Sequence, residues 1–294
     1  MTATRTEESL TILREVAAAA GLPAEGAQPI RLAENDLWRL PAGIVVRIAR
    51  AGQEDAAARE VAVTRWLAEH SVPAVRPLPM EQPVQACGRA ATFWEELPPH
   101  LHGSEVDLAP LLRRLHELPK PHFFIGKLDP FVRITDRLAA ARSVSDDDRE
   151  WLLRQLDALR QEWSHLPTGR PECVIHGDAW SGNCAVTADG AVLMDFERTS
   201  EGPPEWDLTS TAIKYDTFGT LSRDRYRMYC EAYGHDVMTW SGYPVLRGIR
   251  ELRLVSFALQ IADQESGVLD QAQYRIACVR GQRGHRPWGW TAVG

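Results

Sequence analysis

The chain has 294 residues, 44% of them hydrophobic and 25% charged, which suits one large domain or two lobes around a sizeable core. Its formal net charge is −7 and it has no basic tract, which argues against nucleic acid or an anionic membrane as the main partner and leans toward a cationic small molecule. No stretch is apolar enough to span a membrane, no signal-peptide pattern opens at Met1-Thr2-Ala3-Thr4-Arg5, and Cys87, Cys173, Cys184, Cys230 and Cys278 form no Cys-x-x-Cys pair, so a reduced cytoplasmic setting is expected.

Residues 6–20 predict a helix, with Thr6 as its cap and Leu10, Leu13, Val16 and Ala17 as its apolar stripe. The run Ile30 to Ala49 predicts three short strands, turned at Asn35-Asp36 and at Pro41-Ala42-Gly43. On the third of these, Arg47 points to the opposite face from Val46 and Ile48. A helix over about 53–69 follows, with Val63, Trp66 and Leu67 on its apolar face and Glu60 within it. The proline-rich stretch 72–79 runs along an edge. Val84 to Cys87 and Ala91 to Leu97 predict a hairpin that stops at Pro98-Pro99. His100 and His102 lack a third ligand and read as polar surface.

Leucines repeat at three and four over 105–118, which predicts a helix. Helices over about 131–141 and 146–164 come next. Trp206-Asp207-Leu208 opens a helix after Pro203-Pro204, and Asp207 there meets the positive end of the helix dipole. The remainder reads as helices over 221–233, 244–262 and 270–281. Arg247, Arg250 and Arg253, three apart, read as a solvated stripe or a basic face, and Trp288 and Trp290 as core cover or pocket lining.

The chemistry concentrates between these helices. Cys173-Val174-Ile175 and Ala191 to Met194 read as short buried strands, with the turn signal Asp189-Gly190 between them. A hairpin of these two would carry the loop 176–183 close to Asp195. Two carboxylates, Asp178 and Asp195, and the Asn183 amide oxygen would then converge. That oxygen set suits Mg²⁺ and leaves Asp178 free to accept a hydroxyl proton, which is the layout of phosphoryl transfer.

His176-Gly177-Asp178 through Asn183, then Asp195-Phe196-Glu197, resembles the aminoglycoside phosphotransferase and choline kinase family, in which Gly replaces the Arg of the protein-kinase His-Arg-Asp. The resemblance implies an α+β, protein-kinase-like two-lobe fold. Residues 1–98 would be an N-terminal antiparallel-sheet lobe that binds nucleotide. Residues 99–294 would be a larger, mainly helical C-terminal lobe that carries catalysis and binds the acceptor. It implies that Asp178 is the base and that Asn183 and Asp195 hold Mg²⁺. Arg47 and its partner Glu60 would orient the phosphates of ATP or GTP, Asn35 lies in the loop over those phosphates, and the backbone of Glu95, Glu96 and Leu97 faces the purine. His176 and Asp207 would support the catalytic loop, Trp180 and Ser181 would touch the acceptor, and Glu197 would back the metal site or pair with Arg198. Two features depart from kinase patterns: the first loop has no Gly-x-Gly-x-x-Gly, and Arg47 stands where a Lys is usual.

The expected activity is transfer of the γ-phosphoryl group of ATP or GTP to a hydroxyl of a small molecule such as an aminoglycoside, another antibiotic, an amino sugar or an amino alcohol. A nucleotide-binding pseudokinase without activity is the alternative. A metal-dependent hydrolase using the same carboxylates is a third reading, but it leaves Glu60 without a role. Neither the acceptor nor the oligomeric state follows from the sequence.

Overall fold

The structure is a computed structural model that describes residues 2–33 and 35–293. Met1, Glu34 at the end of the first expected strand, and Gly294 lie outside the described residues. In chain order the elements are α1 (Thr2–Ala19), β1 (Gln28–Leu32), β2 (Asp36–Leu40), β3 (Ile44–Ile48), α2 (Glu54–Glu69), β4 (Val84–Ala86), β5 (Arg89–Glu95), β6 (Leu101–His102) and α3 (Glu105–His116). Then follow α4 (Ile134–Ala140), α5 (Asp146–Ser164), β7 (Cys173–Ile175), β8 (Cys184–Thr187), β9 (Gly190–Leu193), β10 (Ser200–Gly202), α6 (Glu205–Asp216), α7 (Arg223–Tyr233), α8 (Tyr243–Ala262) and α9 (Leu269–Val279). An N-terminal antiparallel sheet followed by a mainly helical remainder is the architecture the sequence leads one to expect. Among the described residues no helix is long and apolar enough to cross a membrane.

The chain forms two compact units. One holds the described residues up to Ile125 together with Ser181–Thr199, and the other holds Gly126–Trp180 and the described residues from Ser200 on. The first unit therefore runs past the expected boundary at 98–99 and takes back a later segment.

In the first unit the strands run in the order β1-β2-β3-β5-β4, each pair antiparallel. Alternation sorts their side chains. Trp38, Leu40, Val46, Ile48, Ala91 and Phe93 face Leu13, Val16 and Ala17 of α1 and make the core of this unit. Trp38 donates its indole N–H to Ser9 Oγ at 2.9 Å, so the buried ring leaves no donor unmet. The helix α1 starts before Thr6, which lies inside it and does not cap it. The helix α3 does begin with a capping box, Ser104 and Asp107 bonding each other's backbone N–H. The stretch 72–79 bridges two strands: Ala74 pairs with Leu193 of β9, and Pro77 pairs with Trp94 of β5, where Leu78 N–H donates to Phe93 O and Glu95 N–H to Arg76 O.

One expected pairing is replaced. β7 does not form a hairpin with 191–194. It pairs with β10, Ile175 opposite Ser200, within the second unit. The partner of β9 is β8, joined through Ala188-Asp189 and backed by β6. A two-residue connection closes at far lower entropic cost than one across the whole catalytic loop, so the nearer strand takes the edge.

The second unit packs α4, α5, α6, α8 and α9 around Leu152, Leu156, Trp206, Leu246, Ile249 and Val255. Trp288 and Trp290 are buried in this core, stacked on each other. The three arginines of α8 form neither a solvated stripe nor a basic face. Arg247 pairs with Asp216 at 2.5 Å, Arg250 donates to Trp206 O at 2.6 Å and lies over the Trp206 ring, and Arg253 donates to Pro130 O at 2.9 Å.

Candidate active site

In the second unit, β7 delivers the chain into His176-Gly177-Asp178. Two N–H groups of this turn converge on one side chain. His176 N–H donates to Asp207 Oδ2 at 2.7 Å and Gly177 N–H to Asp207 Oδ1 at 2.9 Å. Gly177 O accepts the indole N–H of Trp206 at 3.1 Å. Asp207 and His176 are both fully buried, so these bonds form out of water. Gly177 has φ 83, a left-handed conformation that glycine adopts without strain. The His176 ring accepts from the Asp178 N–H at 3.4 Å, so it shapes the loop. Asp178 itself is half-buried, and Trp180 is exposed.

In the first unit the face of the sheet opposite the core borders a cavity of about 990 Å³. Its wall includes Asn35, Arg47, Glu60, Asn183, Asp195 and Glu197. Glu95, Glu96 and Leu97 also line it, so all the expected nucleotide and metal residues of this unit border one space. Asp178, His176, Trp180 and Asp207 belong to the other unit, and Ser181 opens the short turn Ser181–Asn183 in the first.

The β8–β9 hairpin brings two of these residues together. Asn183 precedes β8 and Met194 follows β9, and Met194 N–H donates to Asn183 O at 3.0 Å. Asp195 is next, with φ 61. Phe196 is fully buried and its N–H donates to Glu60 Oε1 at 3.3 Å.

Arg47 is not a solvated strand residue, for its side chain is only 14% exposed. One terminal nitrogen bonds Glu60 and the other bonds Glu197, with Asp195 Oδ1 at 3.7 Å. Burial lowers its pKa, but the attraction of Glu60, Asp195 and Glu197 outweighs it, and the net effect is upward. The same crowding acts in reverse on Glu60. Burial, then the nearby Asp195 and Glu197 charges, push it up to about 7 against the pull of Arg47 and the Phe196 N–H. Glu197 therefore faces Arg47 closely, while Arg198 stands 4.0 Å off.

Three carboxylates around one guanidinium leave an excess of negative charge, and the donors nearest the hairpin, Asn183 and Asp195, are hard oxygens. That set fits a divalent cation such as Mg²⁺, which is usually held by one or two carboxylates together with substrate phosphates. Among the described residues no cluster of three His, Cys, Asp or Glu is arranged to hold a metal ion.

Sequence reasoning missed the rest of the wall. Leu37, Val45 and Trp94 give it apolar surface, and Arg39 pairs with Glu96 at 2.6 Å. The signal was present in the alternation that turns Arg47 outward. Leu37 stands opposite Arg47 and Arg39 opposite Val45, so all four share one face. The N–H groups of Glu95 and Glu96 are spent on Arg76 O and Gly43 O.

A model of the phosphotransferase enzyme family matches residues 26–249. A probable ketoamine kinase of Lactiplantibacillus plantarum is 30% identical over 122 residues, 42% of this chain and 38% of that protein, so the match spans little more than a third of its length. Among solved structures, a choline/ethanolamine kinase family protein of Mesorhizobium loti superposes with a TM-score of 0.64 at 18% identity, over 95% of this chain and 94% of that one. An aminoglycoside phosphotransferase of Streptomyces rimosus, solved with ADP and streptomycin, gives 0.59 at 20% identity, over 83% and 97%. These likenesses give the fold, which is kinase-like.

Proposed function

Because the chain belongs to the phosphotransferase enzyme family, we propose that it transfers the γ-phosphoryl group of ATP or GTP to a hydroxyl of a small molecule, an antibiotic among the candidates. The observation that carries this reading is the shared cavity wall: the Arg47–Glu60 pair stands beside Asn183 and Asp195. Asp178 in the 176–178 turn supplies the base that a binding-only protein would not need.

In this reading the apolar strip of Leu37, Val45 and Trp94 takes the purine, with Leu97 N–H as the donor of the 95–97 segment. Arg47 grips phosphate with its planar fork, and Glu60 fixes the rotamer of Arg47. Asn183 and Asp195 would hold Mg²⁺, which when bound neutralises phosphate charge. Asp178 accepts the proton of the attacking hydroxyl, and Asp207 keeps that loop in place through the His176 and Gly177 N–H groups.

The acceptor is a small hydroxylated molecule. The relatives are named for ketoamines, choline or ethanolamine, and aminoglycosides, all of them nitrogen-bearing, and the net charge of −7 favours a cationic acceptor here. The test is ADP release from ATP and GTP with Mg²⁺ across ketoamines, aminoglycosides, other antibiotics, amino sugars and amino alcohols. Release that depends on one acceptor and falls by roughly 10²–10⁴-fold in Asp178→Asn is the expected result. Release that needs no acceptor points to a hydrolase. Nucleotide binding with no turnover for any acceptor points to a pseudokinase.

A further inference from the structure

Arg47 has two unequal partners. Glu60 is 4% exposed and anchored from behind by the Phe196 N–H, so it stays. The Glu197 side chain is 33% exposed and is held by Arg47, by Asn35 Nδ2 at 3.3 Å and by the more distant Arg198. Both terminal nitrogens of Arg47 are occupied, one by each carboxylate. A guanidinium meets carboxylate and phosphate with the same fork, so the two anions compete for the same edge.

We propose that Glu197 is an internal stand-in for phosphate. It occupies the cavity-facing edge of Arg47 and the Asn35 amide, and a nucleotide phosphate must displace it from both. This rests on the nucleotide-binding reading of the cavity. Displacement frees two donors at once, the guanidinium edge from β3 and the Asn35 amide from the β1–β2 turn. The turn has no glycine-rich backbone cradle, and Asn35 is a side-chain donor in its place. Glu197 also adds a further carboxylate beside Asp195 at the guanidinium of Arg47. A phosphate without a cation therefore meets both a competitor and a like charge, and Glu197 makes nucleotide binding depend on the metal. It acts through Arg47 and is a positioning residue.

The test is calorimetric titration of the full chain with ADP, adenosine and inorganic tripolyphosphate, in EDTA and in MgCl₂, for the parent, Glu197→Gln and Glu197→Ala. Far-UV circular dichroism confirms that each variant is folded. In EDTA both variants are expected to bind ADP and tripolyphosphate about tenfold more tightly than the parent, since one like charge is gone and Arg47 is released. Adenosine affinity is expected to stay the same, and the gain in ADP affinity on adding Mg²⁺ to shrink. If the parent binds ADP but the variants bind it no tighter in EDTA, the inference falls while the nucleotide reading stands. A loss confined to MgCl₂ would make Glu197 a plain metal ligand and overturn it too. If neither parent nor variants bind ADP or adenosine in either buffer, the nucleotide reading falls and takes the inference with it.

Discussion

Asp207 commits both carboxylate oxygens to one turn, and that makes it a sensitive position in the second unit. Replacing it with alanine leaves the His176 and Gly177 N–H groups buried without an acceptor. Each orphaned donor costs about 1–3 kcal/mol, so Asp207→Ala should lower stability by roughly 2–6 kcal/mol, read as the urea midpoint. Asp207→Asn keeps one acceptor oxygen and should cost about half as much. Equal midpoints for Ala and the parent would mean that another group holds the loop. At this scale the sequence was most legible in contiguous motifs. His176, Asp178, Asn183, Asp195 and Asp207 carry recognisable chemistry at fixed spacing. The partnership of Arg47 with Glu197 was not legible, because the two are 150 residues apart and only the folded register joins them. Arg39, Leu37 and Val45 were missed for a different reason. Their alternation was visible, but nothing in the sequence says which face of a sheet opens on a cavity.

Elements position the oxygens that residues supply. Asn183 and Asp195 flank the β8–β9 hairpin, so its register sets how they stand to each other. β6 backs β8, and Gly103 at its end donates N–H to Cys184 O at 2.7 Å. A Cβ on Gly103 would lie 2.6 Å from Cys184 Sγ, 2.9 Å from its Cβ and 3.0 Å from its carbonyl oxygen. The last two atoms belong to the strand and cannot swing aside. Gly103→Ala should therefore shift β8 and cost about 1–3 kcal/mol. Because Cys184 adjoins Asn183, the same variant should need several-fold more Mg²⁺ for half-maximal ADP release, while metal-free adenosine binding holds. An unchanged Mg²⁺ requirement would separate the hairpin from the proposed metal site. The helices of this chain were readable because leucines recur at three and four over many turns. Most of the short strands were readable as well, but β6, β8 and β10 were not. Cys184-Ala185-Val186-Thr187 is four residues long, and a run that short carries little periodicity to distinguish it from the loop before it. Its pairing with β9 follows from loop closure, not from composition.

At the scale of the molecule, an antiparallel sheet followed by helices was legible from element order alone, but the division into units was not. The chain leaves the second unit after Trp180 and rejoins it at Ser200, while β7 and β10 pair across that excursion. Such crossings are long-range pairings without a local signature. The charge cluster of the first unit has a consequence for the stability of the chain that contains it. Glu60, whose ordinary pKa is 4.5, is raised to about 7 by burial first and then by Asp195 and Glu197. The folded state thus holds this proton to a higher pH than the unfolded chain does. Stabilisation from the protonated form is complete below about pH 4.5, is lost as pH rises toward about 7, and is flat beyond. The loss is bounded at about 3 kcal/mol, since each tenfold change in proton affinity is worth about 1.4 kcal/mol. Other carboxylates titrate over the same range, so the measurement is a difference. Urea unfolding of the metal-free parent and of Glu60→Gln, followed from pH 4.5 to 8, should show the parent losing stability relative to the variant up to about pH 7 and running parallel to it above. Glutamine cannot ionise, so it supplies the reference that stays neutral. Curves parallel from the start would mean that Arg47 holds Glu60 ionised throughout. A parent that gains on the variant as pH rises would reverse the sign and make the Arg47–Glu60 ion pair a net stabilising contact, stronger than the combined effect of burial and the two neighbouring carboxylates.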